Sequence, residues 1–185
     1  MKTKHFFLTL IAAVCCLSMF TACGGNDDSE TEPDYTRAYV AMNFSFQLTE
    51  DMLKYCYVEL SISNGKGDPS SKVINADDLS SKGFCYAQIT AAFPAIFTLD
   101  RKVTLKTDVD FSKIESIKYA TGYQYETGYF NASYQYLSND PGVTKEELYD
   151  HTVTGTEFAQ LVNEGKLNRT FTFNFDNEGK MTVLQ

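Results

Sequence analysis

Apolar and polar side chains alternate with a period of two residues along most of the chain beyond Tyr35. The first alternating stretch places five apolar residues on one face, namely Val40, Met42, Phe44, Phe46 and Leu48. Because neighbouring side chains of a β-strand point to opposite faces of a sheet, this alternation predicts strands with one buried face. We predict about eight strands, near residues 40–48, 56–62, 83–91, 95–107, 117–125, 130–136, 171–175 and 180–184.

Two short helices are predicted between these strands, each opened by a capping box. Thr144 with Glu147 predicts a helix through about Asp150, and Thr154 with Glu157 predicts one that ends near Gly165. Many short antiparallel strands with little helix are typical of a β-sandwich. We therefore predict a single, mainly β domain over residues 35–185, an antiparallel sandwich of immunoglobulin-like or related type with one or two short helices.

The first 22 residues have a different pattern. Lys2 and Lys4 precede an uncharged apolar run from Phe6 to Phe20, and Ala22 then precedes Cys23. A charged start, a short apolar run and a small residue before the cut are typical of a secretory signal peptide. The run is shorter than the roughly 18–20 apolar residues that span a bilayer. We predict that residues 1–22 are removed as a signal peptide.

The segment Phe20-Thr21-Ala22-Cys23 resembles the lipobox of bacterial lipoproteins, with Phe20 where the family usually has Leu. The resemblance implies that Cys23 becomes the first residue of the mature chain and carries acyl chains. Stable anchoring takes more than one lipid signal, and a lipoprotein cysteine carries several chains. The implied membrane contact is therefore the lipid on Cys23.

Residues 23–34 are predicted to be this lipidated cysteine followed by a flexible acidic tether. Gly24 to Pro33 contains two glycines and four carboxylates, a composition that cannot bury a core. An acidic cluster directly after the lipid resembles the surface-export signal of Bacteroides-type lipoproteins, and Gly24 stands where the inner-membrane retention signal has Asp. The resemblance implies an outer-membrane protein facing the cell exterior. The alternative is that the acids only keep the tether soluble, which leaves a periplasmic position open.

Charge and motif content restrict the possible chemistry. The formal charge of −8 is a poor match for nucleic acid, whose binding needs Lys and Arg on phosphates. His151 is the only histidine after the signal peptide, and neither G-x-S-x-G nor C-x-x-C occurs. The acidic stretch Asp108–Glu115 resembles the start of a calcium loop, but Lys113 stands where that loop requires Gly. We predict no catalytic residue, no metal and no cofactor.

Tyrosine is unusually dense in one region of the chain. An exposed group of these rings would form an aromatic platform that stacks on sugar faces and donates hydroxyl hydrogen bonds. The alternative is ordinary packing of the rings in the core of the sandwich. The six tyrosines that lie within 18 residues are Tyr119, Tyr123, Tyr125, Tyr129, Tyr134 and Tyr136.

A turn predicted at Thr127 and Gly128 assigns faces to these tyrosines. In the strand before it, Tyr123 and Tyr125 share a face with apolar residues and are expected to point inward. In the strand after it, Tyr129 shares a face with the polar residues Asn131, Ser133 and Gln135 and is expected to point outward. Tyr129 is therefore the predicted ligand contact. The residues expected to point inward on this later strand are Phe130, Tyr134 and Tyr136.

Cys56 and Cys85 remain after processing, and both fall on predicted apolar faces. An exported compartment permits a disulfide between them, which would stabilise the fold by about 3 kcal/mol through loop closure. Two buried thiols, which behave as small apolar side chains, are the equal alternative.

The sequence thus predicts a lipoprotein of the outer membrane or cell surface that carries a non-enzymatic binding module, with glycan as the candidate ligand. A structural or adhesive envelope subunit that binds another protein through a sheet edge is the alternative. A small hydrolase is the third and weakest interpretation.

Overall fold

The structure is a computed structural model that describes residues 35–64, 69–81, 83–140 and 150–184. The predicted signal peptide, lipobox and tether lie outside these residues and stay predictions. The predicted helix after Thr144 also lies outside them, except for its end near Asp150, where the structure has a strand.

Eleven strands and two α-helices occur in the described residues, together with two single turns of 3₁₀ helix. The strands are β1 (Tyr39–Gln47), β2 (Cys56–Ser63), β3 (Ser70–Val73), β4 (Phe84–Ala92), β5 (Ala95–Leu105), β6 (Ile117–Ala120), β7 (Tyr123–Phe130), β8 (Tyr136–Asp140), β9 (Asp150–Val153), β10 (Arg169–Phe175) and β11 (Met181–Leu184). The helices are α1 (Glu50–Tyr55) and α2 (Gly155–Asn163).

Two antiparallel sheets face each other, so the predicted mainly β sandwich is confirmed. Sheet A has four strands in the order β4-β1-β7-β8, and sheet B has five in the order β11-β10-β5-β2-β3. A small third sheet pairs β6 with β9. The strand number is larger than the predicted eight for two reasons. Strands β3 and β9, of four residues each, are too short to show a clear alternation, and the strand predicted at 117–125 is divided between β6 and β7.

Aromatic rings from both sheets fill the space between them. Phe44 of β1 contacts Phe171 and Phe173 of β10, with ring centroids 5.2 and 5.9 Å apart. Tyr123 of β7 lies 4.5 Å from Phe171, and Tyr125 lies 5.1 Å from Phe173. Tilted and edge-on ring pairs at these separations are the preferred geometries, so the core is held by specific ring contacts as well as by apolar burial.

One charged side chain lies in this core. Arg101, on β5, is 1% exposed. Its Nε donates to the carbonyl of Leu167 at 3.2 Å, and its guanidinium lies 5.0 Å from the ring centroid of Phe46. Both contacts compensate part of the cost of burying the charge.

The second predicted helix is confirmed, and α1 was missed. The Thr154 hydroxyl accepts from the Glu157 amide, and the Glu157 carboxylate accepts from the Thr154 amide, as the capping box predicts. Helix α1 has only six residues, too few to show a helical period. Its cap, Thr49, also donates to the carbonyl of Lys118 at 2.6 Å, a tertiary contact that the local sequence does not reveal.

Candidate ligand-binding site

The predicted outward position of Tyr129 is wrong. Tyr129 is 0% exposed, and the guanidinium of Arg37 lies 4.0 Å from its ring centroid. The reason is that Thr127 and Gly128 do not form a turn, because β7 continues through them and pairs with β1 along its length. Because side chains alternate along this continuous strand, Tyr129 points inward like Tyr123. The predicted inward positions of Tyr123 and Tyr125 are confirmed.

The residues that the sequence placed inward on the later strand, Phe130, Tyr134 and Tyr136, lie instead on the outer face. Tyr134 is 67% exposed and Tyr136 is 56% exposed. They lie on the outer face of sheet A beside Tyr39 and Phe130, both half-buried. We call these four residues the aromatic row, because Tyr39 pairs with Phe130 and Phe130 pairs with Tyr136 across three neighbouring strands.

Ring contacts connect the members of the aromatic row. Tyr39 and Tyr134 are stacked, with centroids 4.5 Å apart and planes 19° from parallel. Phe130 and Tyr136 meet edge to face at 5.8 Å. Hydrogen bonding to Tyr39 is the largest cause that raises the pKa of Tyr134 above its ordinary value of 10.0. The hydroxyl of Tyr134 is therefore engaged with Tyr39 in addition to the contact between the two rings.

The turn between β7 and β8 is organised by Asn131, which is 4% exposed. Its Oδ1 accepts from the amides of Ser133 at 3.0 Å and of Gln135 at 2.9 Å. Its Nδ2 donates to the Gln135 Oε1 at 3.0 Å, and its backbone amide donates to the Gln135 carbonyl at the same distance. Asn side chains commonly fix turns in this way. The aromatic row therefore lies next to a turn that is held by four hydrogen bonds of Asn131.

Tyr134 has a backbone φ of 60°, which lies in the left-handed region. Among the described residues it is the only one other than glycine with a positive φ. A bulky residue is uncommon there because its Cβ crowds the backbone, at a cost of about 1–2 kcal/mol. Such strain persists when the surroundings enforce it, and it is often associated with binding sites. Here the Asn131 turn and the stack on Tyr39 hold Tyr134 in place.

Smaller side chains cover the sheet next to the aromatic row. One step along the strands, Ala41 lies between Thr90 and Gly128. One step further, Asn43 lies between Gln88 and Glu126, all three exposed. Each step of two residues is about 7 Å along a strand. The outer face thus has aromatic side chains at one end, smaller side chains in the middle and polar side chains at the other end, about 14 Å from the rings.

The disulfide alternative for Cys56 and Cys85 is not what the structure shows. Both are buried free thiols, Cys56 on β2 of sheet B and Cys85 on β4 of sheet A. Burial raises the pKa of Cys56 to about 12 and that of Cys85 to about 11. Neither thiol is therefore a reactive group at neutral pH, since the thiolate is the nucleophile.

The other candidate groups for chemistry are used in local structure. His151 is half-buried on β9 and stacks on Tyr119 at 4.8 Å. The Asp110 carboxylate accepts from the backbone amide and hydroxyl of Ser112, which caps the adjacent 3₁₀ turn. Within the ranges that the structure describes, no group of three or more His, Cys, Asp or Glu residues could hold a metal ion.

A concave region lies beside α1, an open cleft of about 550 Å³. Its lining mixes the acids Glu50 and Asp51 with Lys54 and Lys106. The Asp51 carboxylate accepts from the Lys118 amide, and the Lys106 Nζ donates to the Leu53 carbonyl at 2.8 Å. Because these charges are of both signs and two of them already serve the fold, the cleft defines no ligand class.

No described helix has the length and apolar character needed to cross a bilayer. Comparison of the chain with models of protein families, with curated proteins and with solved structures found no match.

Proposed function

We propose that this chain is a non-enzymatic, lipid-anchored binding module of the outer membrane, and that the aromatic row binds carbohydrate. The observation that supports this most strongly is the stacking of the exposed Tyr134 on the half-buried Tyr39, next to the hydrogen-bonded Asn131 turn. Aromatic faces stack on the apolar faces of sugar rings, and tyrosine hydroxyls add hydrogen bonds at the ring edge. A fixed platform also lowers the entropy lost when a ligand binds.

The dimensions of the face favour a chain of sugars over a single sugar. The polar row of Asn43, Gln88 and Glu126 lies about 14 Å from the rings, roughly the length of two or three sugar units. Its amides and carboxylate offer donors and acceptors to hydroxyl groups. An oligosaccharide lying along β1 would contact the aromatic row at one end and the polar row at the other.

The proposed location follows from the lipobox resemblance. Acyl chains on Cys23 would hold the chain in the outer membrane, and the acidic tether would direct the domain to the cell exterior. Protease added to intact cells should then remove the domain. Protection until the cells are lysed would place it on the periplasmic side.

Affinity electrophoresis tests the binding role directly. A glycan array first shows which class of carbohydrate the native protein binds. The protein is then run through native gels that contain a soluble polysaccharide such as starch, xylan or mannan. Tyr39→Ala and Tyr134→Ala should reduce the retardation about tenfold, which corresponds to about 1.4 kcal/mol of binding free energy.

Tyr57→Ala is the matched control, because Tyr57 is 54% exposed but lies on β2 of sheet B. It should be retarded as strongly as the native protein. Retardation that survives loss of Tyr39 and Tyr134, or no binding across the array, would contradict the proposal.

A further inference from the structure

In the part of the chain that the structure describes, β4 is an edge strand that is unusually long and uncharged. Sheet A ends at β4, which pairs with β1 on one side and with no described strand on the other. Its nine residues contain no charge and no proline. The other edge strands have only four or five residues, namely β3, β8 and β11 of the two large sheets and β6 and β9 of the small third sheet. Proteins usually protect a long edge with charges, proline or a covering segment, because an open edge pairs with other strands.

The outward hydrogen-bonding groups of β4 can be identified from its ends. The Leu48 amide donates to the Gly83 carbonyl, and the Phe93 amide donates to the Ala38 carbonyl. In an antiparallel pair the backbone groups of alternate residues bond to the neighbouring strand. The backbone groups of the odd-numbered residues of β4 therefore point toward β1. The even-numbered residues therefore direct their backbone groups toward the open edge. Those without another backbone partner in the described structure are Tyr86, Gln88, Thr90 and Ala92.

Phe84 is the exception among the even-numbered residues. Its amide donates to the Ser80 hydroxyl at 3.1 Å, and its carbonyl accepts from the Ser80 amide at 2.8 Å. The available set therefore begins at Tyr86 and ends at Ala92, and its centre is Ile89.

We propose that a second copy of this chain pairs with β4 antiparallel, about a two-fold axis at Ile89. In that register Tyr86 pairs with Ala92 of the partner subunit, and Gln88 pairs with Thr90 of the partner subunit. Each pair exchanges two hydrogen bonds, so about eight bonds form and every available group is used. A register moved by one residue would centre on Gln88 and would need Phe84, whose groups are already bonded.

Charge and size favour a copy of the same chain as the occupant. The chain carries a formal charge of −8, so most surfaces of two copies repel each other. The β4 edge carries no charged residue, so two copies could pair there without placing like charges opposite each other, which would be destabilising. The large Tyr86 would meet the small Ala92, and a two-fold axis makes that match twice.

The same pairing extends the aromatic row. Ala92 lies beside Tyr39, and Tyr39 lies beside Phe130 on the outer face. Tyr86 of the partner subunit, next to Ala92, would bring one more exposed tyrosine to that level of the sheet. The dimer itself depends on the backbone of β4 and not on what the aromatic row binds.

Sedimentation equilibrium of the full chain tests the dimer. The measurement is made without polysaccharide, in a detergent whose density equals that of the solvent. Thr90→Lys puts a charge on the exposed edge, and Thr90→Pro removes an outward amide while sparing the bonds to β1. Native protein should be a dimer, and both variants should weaken the association at least tenfold, with melting curves showing that they stay folded.

Thr182→Lys is the matched control, an exposed threonine on β11, the edge strand of the other sheet. It should remain a dimer. A native chain that is monomeric, or a dimer that survives both Thr90 variants, would overturn the proposal. Because no polysaccharide is present, neither result alters the proposal for the aromatic row.

Discussion

The left-handed conformation of Tyr134 predicts an inverted stability order for two small substitutions. Tyr134→Ala and Tyr134→Gly both remove the ring and its stack on Tyr39, so they differ only in the backbone. Alanine keeps the steric cost of a Cβ at positive φ, about 1–2 kcal/mol. Glycine relieves this cost but gains conformational entropy in the unfolded chain, roughly 0.4–1 kcal/mol. The glycine variant should therefore be more stable by about 0.5–1 kcal/mol.

Thermal or urea unfolding of the two variants measures this difference. For a domain of this size 1 kcal/mol corresponds to about 2–4 °C, so the glycine variant should melt roughly 1–4 °C higher. Ser133 provides the control, because it is exposed in the same turn and does not have a positive φ. There the alanine variant should be the more stable one. An alanine variant at Tyr134 that matches or exceeds the glycine variant would refute the strained conformation.

Three further predictions follow from burial and from the anchor. Tyr129→Ala should lower the free energy of unfolding by about 3–5 kcal/mol, because the ring is buried. Tyr136→Ala should change it by about 0.5 kcal/mol or less, because that ring is exposed. Similar melting shifts for the two variants would contradict the positions assigned to these rings. Cys56 and Cys85 should resist iodoacetamide at neutral pH until denaturant is added, because burial holds each thiol pKa far above that pH. Rapid labelling of the folded protein would show that one of them is accessible. Cys23→Ala should abolish incorporation of labelled palmitate, and continued labelling would exclude the lipobox assignment.

The long strands were predictable because their alternation is strong and continuous. On the predicted inner face of β1, Val40, Met42, Phe44 and Phe46 are each 0–1% exposed, as their phase predicts. The hairpin of β10 and β11 and the capping box of α2 were also evident from the sequence. Each of these elements is specified locally, by side-chain period or by a turn or cap of a few residues.

The error at Tyr129 has a specific cause. The region contains two Thr-Gly pairs, Thr121-Gly122 and Thr127-Gly128, which give the same local signal for a turn. The chain breaks at the first pair, where the Gly122 carbonyl accepts from the Gln47 amide, and β7 runs through the second. The choice between them is made by pairing with β1, a contact between residues distant in sequence. The exposed positions of Tyr134 and Tyr136 depend on that same choice.

Tyrosine nitration read by mass spectrometry, with and without a polysaccharide that retards the protein, tests the central claim most directly. The chain contains no Trp to compete for the reagent, and Tyr57, Tyr134 and Tyr136 are each more than half exposed. Carbohydrate bound at the aromatic row should protect Tyr134 and Tyr136 from nitration and leave Tyr57 as reactive as before. Equal protection of all three tyrosines, or protection of Tyr57 alone, would contradict it.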